Sequence, residues 1–285
     1  MVDSNTYIQR EPLDLSVGDG LRISAVAYLG AATPKGLIWC VPGGGVDHRY
    51  WDVPVQGLAE DDYSFPYRAV AAGYLVVTAD HLGAGGSSRL DDADQDRVVD
   101  AMSSALALAR SQLGAEHLPS VGVGHSMGSG FTLHQQDRHH DHQGLVITGW
   151  SNIALTLPYA DGQMYPLGTP GQPDMRRHNH GPGVPRQVIE ANRAIRTDTP
   201  QPALTWVIVA GRLADAARRV DVPVLLAHGR EDVSADPAAD AALYEHAPSV
   251  ESIVLPTSHH WHSGSPDRHF LWDSIVDWVD RRVCP

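Results

Sequence analysis

Cysteine is nearly absent from this chain of 285 residues, which carries only Cys40 and Cys284. Two thiols build no disulfide framework. Cys40 lies inside the apolar run GLIWCV and reads as a small core residue, and Cys284, next to the end, reads as inert. Positive charge is also short: 21 Lys and Arg stand against 34 Asp and Glu, a formal net charge of −13. That balance excludes nucleic acid or an anionic membrane as the main partner, since both demand clustered cations. No apolar run approaches the roughly 20 residues that span a bilayer. The opening stretch MVDSNTYIQREPL has neither the basic nor the apolar region of a secretory signal, so the expectation is a cytoplasmic protein. There is no internal repeat and no boundary sharp enough for an independent second domain. A chain of this length commonly forms one α/β unit with a core that needs no staples.

What the chain does have is a series of short apolar runs that end in glycine or a turn: GLIWCVPGGG, YLVVTADHLGAGGSS, SVGVGHSMG, GLVITGW, VPVLLAHG and SIVLP. Runs of four to six residues without polar alternation suit strands buried on both faces of a parallel sheet. Helical patterns fall between them. Val98, Met102, Ala105, Leu106, Ala109 and Leu113 form an amphipathic stripe, and Asp236-Pro237 is an N-cap with proline at the first helical position. Leu271, Ile275 and Trp278 give the last helix a broad apolar face. Tyr7 to Leu29 reads as a hairpin turning at GDG. The fold class expected is α/β, a doubly wound, mostly parallel sheet with an N-terminal hairpin.

One region breaks the alternation. Between GLVITGW and VPVLLAHG lie residues 151–221, whose first half, LPYADGQMYPLGTPGQPDMRRHNHGPGVP, is dense in proline and glycine. A second half with Val188, Ala191 and Ile195 on one side reads as a helix opening at Pro185. A loop this long is functional or disordered. The expected organisation is therefore a core of residues 1–150 and 222–285 with 151–221 inserted as a cap, its roof irregular rather than helical.

The stretch VGVGHSMGSG places Ser126 between Gly124 and Gly128, after a strand and before a helix. This is the context of a G-x-S-x-G nucleophile elbow, where small residues two before and two after the serine let the backbones pass. A serine needs a base, and the base an orienting acid. HGRED places Asp232 past one later strand, and LPTSHHWH places His259, His260 and His262 past the next.

These segments resemble the α/β-hydrolase family over nearly the whole chain. GHSMG looks like its elbow, DHLGAGGSS like its structural D-x-x-G-x-G-x-S element, HGRED like its acid loop and LPTSHH like its LPGAGH segment. The resemblance implies Ser126, Asp232 and His260 as the catalytic triad. His259 stands where the family has glycine, so His259 and His262 remain the alternatives for the base. Oxyanion donors would be the amides of Met127 and, in the HGGG-like VPGGG loop, Gly44 or alternatively Gly45; Pro42 stands in place of the family's histidine. Gly45, Tyr159 and Met164 are candidate substrate contacts.

The activity implied is a serine hydrolase that cleaves a carboxylic ester, lactone or thioester through an acyl-enzyme, with no cofactor. Its expected partner is a neutral, hydrophobic small molecule. Two other readings share the fold: a carbon–carbon hydrolase or acyltransferase on the same triad, and a non-catalytic small-molecule receptor. Sixteen histidines invite a metal reading. The densest group, DRHHDH at Asp137 to His142, lacks the H-x-H-x-D-H spacing, no H-E-x-x-H occurs, and a solvated helix end is the reading adopted. RRHNH, Arg176 to His180, reads as a polar loop of the cap. HLGAGGSS lacks the lysine and the spacing of a phosphate loop.

Overall fold

The computed structural model describes residues 8–158, 163–167, 169 and 178–285. The N-terminal alternation forms a hairpin of β1 (Ile8–Gly18) and β2 (Leu21–Gly30). Its turn is Asp19-Gly20, both at positive φ (52° and 72°), the torsions that match a two-residue loop to strand twist. Tyr7, read as the first residue of this hairpin, lies outside the described residues.

The apolar runs become β3 (Leu37–Val41), β4 (Leu75–Ala79), β5 (Ser120–His125), β6 (Gly144–Thr148) and β9 (Val224–Gly229), in which every residue is buried. That is why they show no polar alternation. β10 (Val250–Leu255) closes one edge and is partly exposed. The eight strands run in the order β1-β2-β4-β3-β5-β6-β9-β10. β1, β2 and β4 pair antiparallel, and every pair from β4 through β3, β5, β6 and β9 to β10 is parallel.

Helices cover both faces. On one side α1 (Phe65–Ala71) and α8 (Arg268–Arg282) bury Phe65, Trp272, Ile275 and Trp278 against Ile38, Val121, Val123 and Leu225. On the other, α2 (Gln95–Gln112) and α3 (Met127–His139) bury Met102, Leu106, Phe131 and Leu133 against Trp39, Val41, Val77 and Leu226. β3 thus feeds alternate side chains to two separate cores, the period-2 consequence of a strand covered on both faces. Among the described residues no helix is long and apolar enough to cross a membrane.

Residues 151–221 contain more regular structure than their composition suggests. A short antiparallel pair, β7 (Thr156–Pro158) and β8 (Met164–Pro166), precedes three helices: α4 (Arg186–Ala194), α5 (Gln201–Val207) and α6 (Ala214–Arg219). α4 is the helix read as opening at Pro185, with Val188 and Ala191 buried. α5 and α6 escape the sequence reading: each is too short to display a period, and Pro202, tolerated in the first turn of α5, reads in sequence as a breaker. Just before α5 the segment pairs with the glycine loop that follows β3. Val46 and Arg196 form an antiparallel bridge, Asp47 N donates to Ile195 O (3.1 Å) and Thr197 N to Gly45 O (3.1 Å). α7 (Pro237–Ala242), capped by the Asp236 side chain, follows the acid loop.

Candidate active site

β5 ends at His125 and α3 begins at Met127, leaving one residue to turn the chain. Ser126 does so at φ 53°, ψ −124°, a conformation that a non-glycine residue holds only under constraint. The flanking glycines supply the room. A Cβ on Gly124 would lie 2.5 Å from Ser129 Cα, and one on Gly128 would lie 2.4 Å from Pro42 O. Both obstacles are backbone and cannot swing aside. The turn is tied to the neighbouring strand by Ser126 N donating to Thr148 O (2.8 Å) and by Ser129 Oγ donating to the same carbonyl (2.9 Å).

Two loops at the same end of the sheet bring the remaining groups to this serine. His260 Nε2 stands 2.8 Å from Ser126 Oγ, and its Nδ1 stands 2.6 Å from Asp232 Oδ1. Asp232 is fully buried and accepts from Gly229 N (3.0 Å), Val233 N (2.8 Å) and a second imidazole, His262 Nε2 (2.7 Å). Burial by itself raises the carboxyl's pKa. The charges and hydrogen bonds of His260 and His262 outweigh it and hold the group well below the usual carboxylate range. The structure thus brings Ser126, Asp232 and His260 together and places the two alternatives elsewhere. His259 stacks on His178 (ring centroids 5.0 Å apart), and His262 serves the far oxygen of the acid.

Sequence reasoning passed over two members of this cluster. His125, next to the serine, stacks on Tyr50 at 4.4 Å and lies 4.9 Å and 5.0 Å from the rings of His260 and His262. Burial, then the two imidazoles, push its pKa well down, so the group beside the serine is neutral. His262 was weighed only as a base, and no local pattern marks a residue that reaches its partner from 30 positions away.

Met127 and Gly44 both line the cavity beside the serine turn, and the Met127 thioether packs 3.3 Å from the point where a Gly44 side chain would begin. Gly45, the alternative donor, is occupied: its N–H donates to Thr199 Oγ1 at 2.7 Å. Asp80 of the DHLGAGGSS element braces this loop from below, accepting from His48 N (2.6 Å) and Gly86 N (2.8 Å).

Ser126 and His260 line a cavity of about 500 Å³ whose walls include Trp150, Leu155, Leu204, Val207, Ile208 and Val233. Among the described residues no Asp, Glu, Lys or Arg lines it. Gly45 and Asn179 of the RRHNH segment line it as well, whereas Met164 sits on β8 away from its walls. Tyr159 lies outside the described residues.

The DRHHDH histidines are remote from this cavity and differ among themselves. His139 meets Asp100 at the surface, but His142 is buried with Nδ1 3.0 Å from Ser120 Oγ. The reading of a solvated helix end is thus corrected for His142, which the chain folds under the sheet as it enters β6. Among the described residues no group of three or more His, Cys, Asp or Glu side chains is arranged to hold a metal ion.

Residues 40–269 match the model of the alpha/beta hydrolase family. The fold is shared with an esterase from Exiguobacterium antarcticum, at 18% identity, 95% of this chain, 100% of that chain and TM-score 0.69. It is shared with a soluble variant of monoglyceride lipase from Saccharomyces cerevisiae solved with a substrate analogue, at 16% identity, 99% and 98% coverage and TM-score 0.70. A thermostable carboxyl esterase from Bacillus coagulans gives 17% identity, 96% and 98% coverage and TM-score 0.68. No curated protein matches the chain in sequence.

Proposed function

The chain belongs to the alpha/beta hydrolase family, and we propose that it cleaves a neutral carboxylic ester, lactone or thioester through an acyl-enzyme on Ser126. The observation that carries this reading is the continuous relay from Ser126 Oγ to His260 (2.8 Å) to Asp232 (2.6 Å), open to an apolar cavity. Ser126 Oγ attacks the carbonyl carbon as its proton passes to His260 Nε2. Asp232, ionised and fixed by four donors, stabilises the imidazolium. The amides of Met127 and Gly44, both on the cavity wall, receive the oxyanion. His260 then returns the proton to the departing alcohol or thiol, and a water activated by the same imidazole releases the acid. The cycle requires no cofactor.

In this reading residues 151–221 act as the cap, since Leu155, Leu204, Val207 and Ile208 belong to the cavity wall. A charged substrate would lose its hydration against these side chains without gaining a partner. The direct test is labelling with an alkyl fluorophosphonate, with the adduct mapped by peptide mass, beside turnover of a p-nitrophenyl ester series. Covalent labelling at Ser126 and preference for uncharged acyl groups are expected. Absence of the adduct at Ser126, or labelling that persists in Ser126→Ala, overturns the assignment.

A further inference from the structure

Among the described residues four buried side chains end in a carboxamide, and three of them are satisfied. Asn152 accepts from Trp150 Nε1 (2.8 Å) and donates to Tyr244 Oη (2.9 Å), Gln135 donates to Asp141 (2.7 Å), and Gln136 pairs with both backbone atoms of His142 (2.9 and 3.2 Å). The fourth, Asn192, is 1% exposed, lines the cavity, and its Nδ2 has no partner among the described residues. It also breaks the pattern of its helix. α4 buries Val188 and Ala191 beside it, and Ile195 follows on the same side, so an apolar residue at 192 would complete the stripe. A buried donor without an acceptor is costly, and one on a cavity wall can be met by a ligand; Trp261 Nε1 and Tyr50 Oη on the same cavity are in that state too.

The position of Asn192 tells which part of a substrate it faces. The cavity has two walls that belong to the two cores. Leu155, Val207 and Ile208 pack with Met127 and Trp150 on one side. Opposite them, α4 packs with Trp261 and the loop that carries His260. Asn179 joins this second wall, its carbonyl accepting from Trp261 N at 2.8 Å. Because His260 must protonate the leaving oxygen, the alcohol portion of an ester lies toward the His260 wall and the acyl chain toward the other. Among the described residues the acyl wall is hydrocarbon, apart from Thr199, whose hydroxyl is engaged with Gly45. The alcohol wall carries two carboxamides and the indole Nε1 of Trp261.

Resting on the hydrolase reading above, we infer that Asn192 is a specificity-determining residue that donates a hydrogen bond to a second oxygen on the alcohol portion. The substrate class is then an apolar acyl ester of a diol or polyol. A hydroxyl oxygen there meets the free Nδ2, while a plain alkyl alcohol leaves it unsatisfied, the situation in which discrimination is largest.

The test compares two nearly isosteric esters, 2-hydroxyethyl hexanoate and propyl hexanoate. The wild-type enzyme is expected to favour the hydroxyethyl ester by roughly tenfold in kcat/KM, and Asn192→Leu to bring the ratio to about one. Equal wild-type rates on the two esters overturn the inference while leaving the hydrolase reading intact, and they do so even if the variant fails to fold. A preference that survives in Asn192→Leu overturns it as well. If neither ester is cleaved and fluorophosphonate leaves Ser126 unmodified, it is the hydrolase reading that has failed.

Discussion

His262 Nε2 lies 2.7 Å from Asp232 Oδ2, across the carboxylate from His260, whose Nδ1 lies 2.6 Å from Oδ1. One acid therefore holds two imidazoles, and the outer one is completely buried with its Nδ1 unpartnered among the described residues. Such a group has no route to substrate and acts by fixing the carboxylate plane. Replacement with leucine removes a donor and leaves Oδ2 with the Gly229 amide alone. His262→Leu is expected to lose roughly 10²-fold in kcat with KM little changed, the size of effect that small misplacements near the chemistry produce. His262→Gln offers an amide N–H at a similar reach and should recover most of the loss. Steady-state kinetics of the two variants decide the matter, because equal losses in both would remove hydrogen bonding from the explanation.

The strained serine predicts an opposition between stability and activity. Ser126 at φ 53° is tolerated because its neighbours over-determine it, at a cost on the order of 1–3 kcal/mol. Glycine at this position relieves the strain, whereas alanine only deletes the hydroxyl. Ser126→Gly should therefore unfold at a higher temperature than Ser126→Ala, even after the backbone-entropy cost of glycine, roughly 0.5–1 kcal/mol. Both variants should be down by several orders of magnitude in kcat. A calorimetric scan in which the glycine variant melts no higher than the alanine variant would show that the turn stores no usable strain.

How much of this was legible in the sequence follows from the range of the forces involved. Strands buried on both faces announce themselves as unbroken apolar runs, so the sheet and its hairpin could be read directly. The glycines around Ser126 were legible for a related reason: a backbone 2.4–2.5 Å from a would-be Cβ permits no other residue. The register among His259, His260 and His262 was legible only through the family resemblance, which pointed to His260, because three imidazoles on one loop are locally equivalent and only the tertiary position of Asp232 separates them. The helices of residues 186–219 were partly hidden for want of length. Asn192 was hidden because a lone polar residue beside an apolar stripe looks ordinary until the cavity beside it is known.

The tether between Gly45 and Thr199 predicts an effect of the inserted segment on the oxyanion loop. Thr199 Oγ1 accepts the Gly45 N–H at 2.7 Å, and its side chain packs 3.6 Å from the Cβ position of Gly44. Thr199→Val keeps the volume and removes the acceptor. The unsatisfied Gly45 amide then lets the loop shift, and kcat is expected to fall several-fold, with Thr199→Ser retaining most of the activity. Measuring kcat for both against a short p-nitrophenyl ester checks the assignment. An unaffected valine variant would place the control of Gly44 in Asp80 and His48 instead.

The buried histidines predict where stability is lost on acidification. Burial, the largest influence on His142, takes its pKa from 6.5 down to about 4, so it stays neutral in the folded protein while the unfolded chain protonates. Above pH 6.5 neither state carries the proton and the full stability is present. As the pH falls from 6.5 toward 4 the unfolded state gains protons that the folded state refuses, and stability declines, by about 3 kcal/mol in total for this residue. His81, His125 and His228, all shifted downward by burial, act in the same sense. Asp232 has the opposite character: its depressed pKa stabilises the fold at every pH above the ordinary carboxylate value and is lost only below it. The two windows therefore do not overlap. His142→Asn, which can still face Ser120 and cannot charge, should flatten the dependence of unfolding free energy on pH between 7 and 5 by up to one proton's worth, while leaving the steeper loss at lower pH in place. Urea titrations of the two proteins at pH 7, 6 and 5 measure this slope, and parallel curves would assign the acid sensitivity to the other histidines.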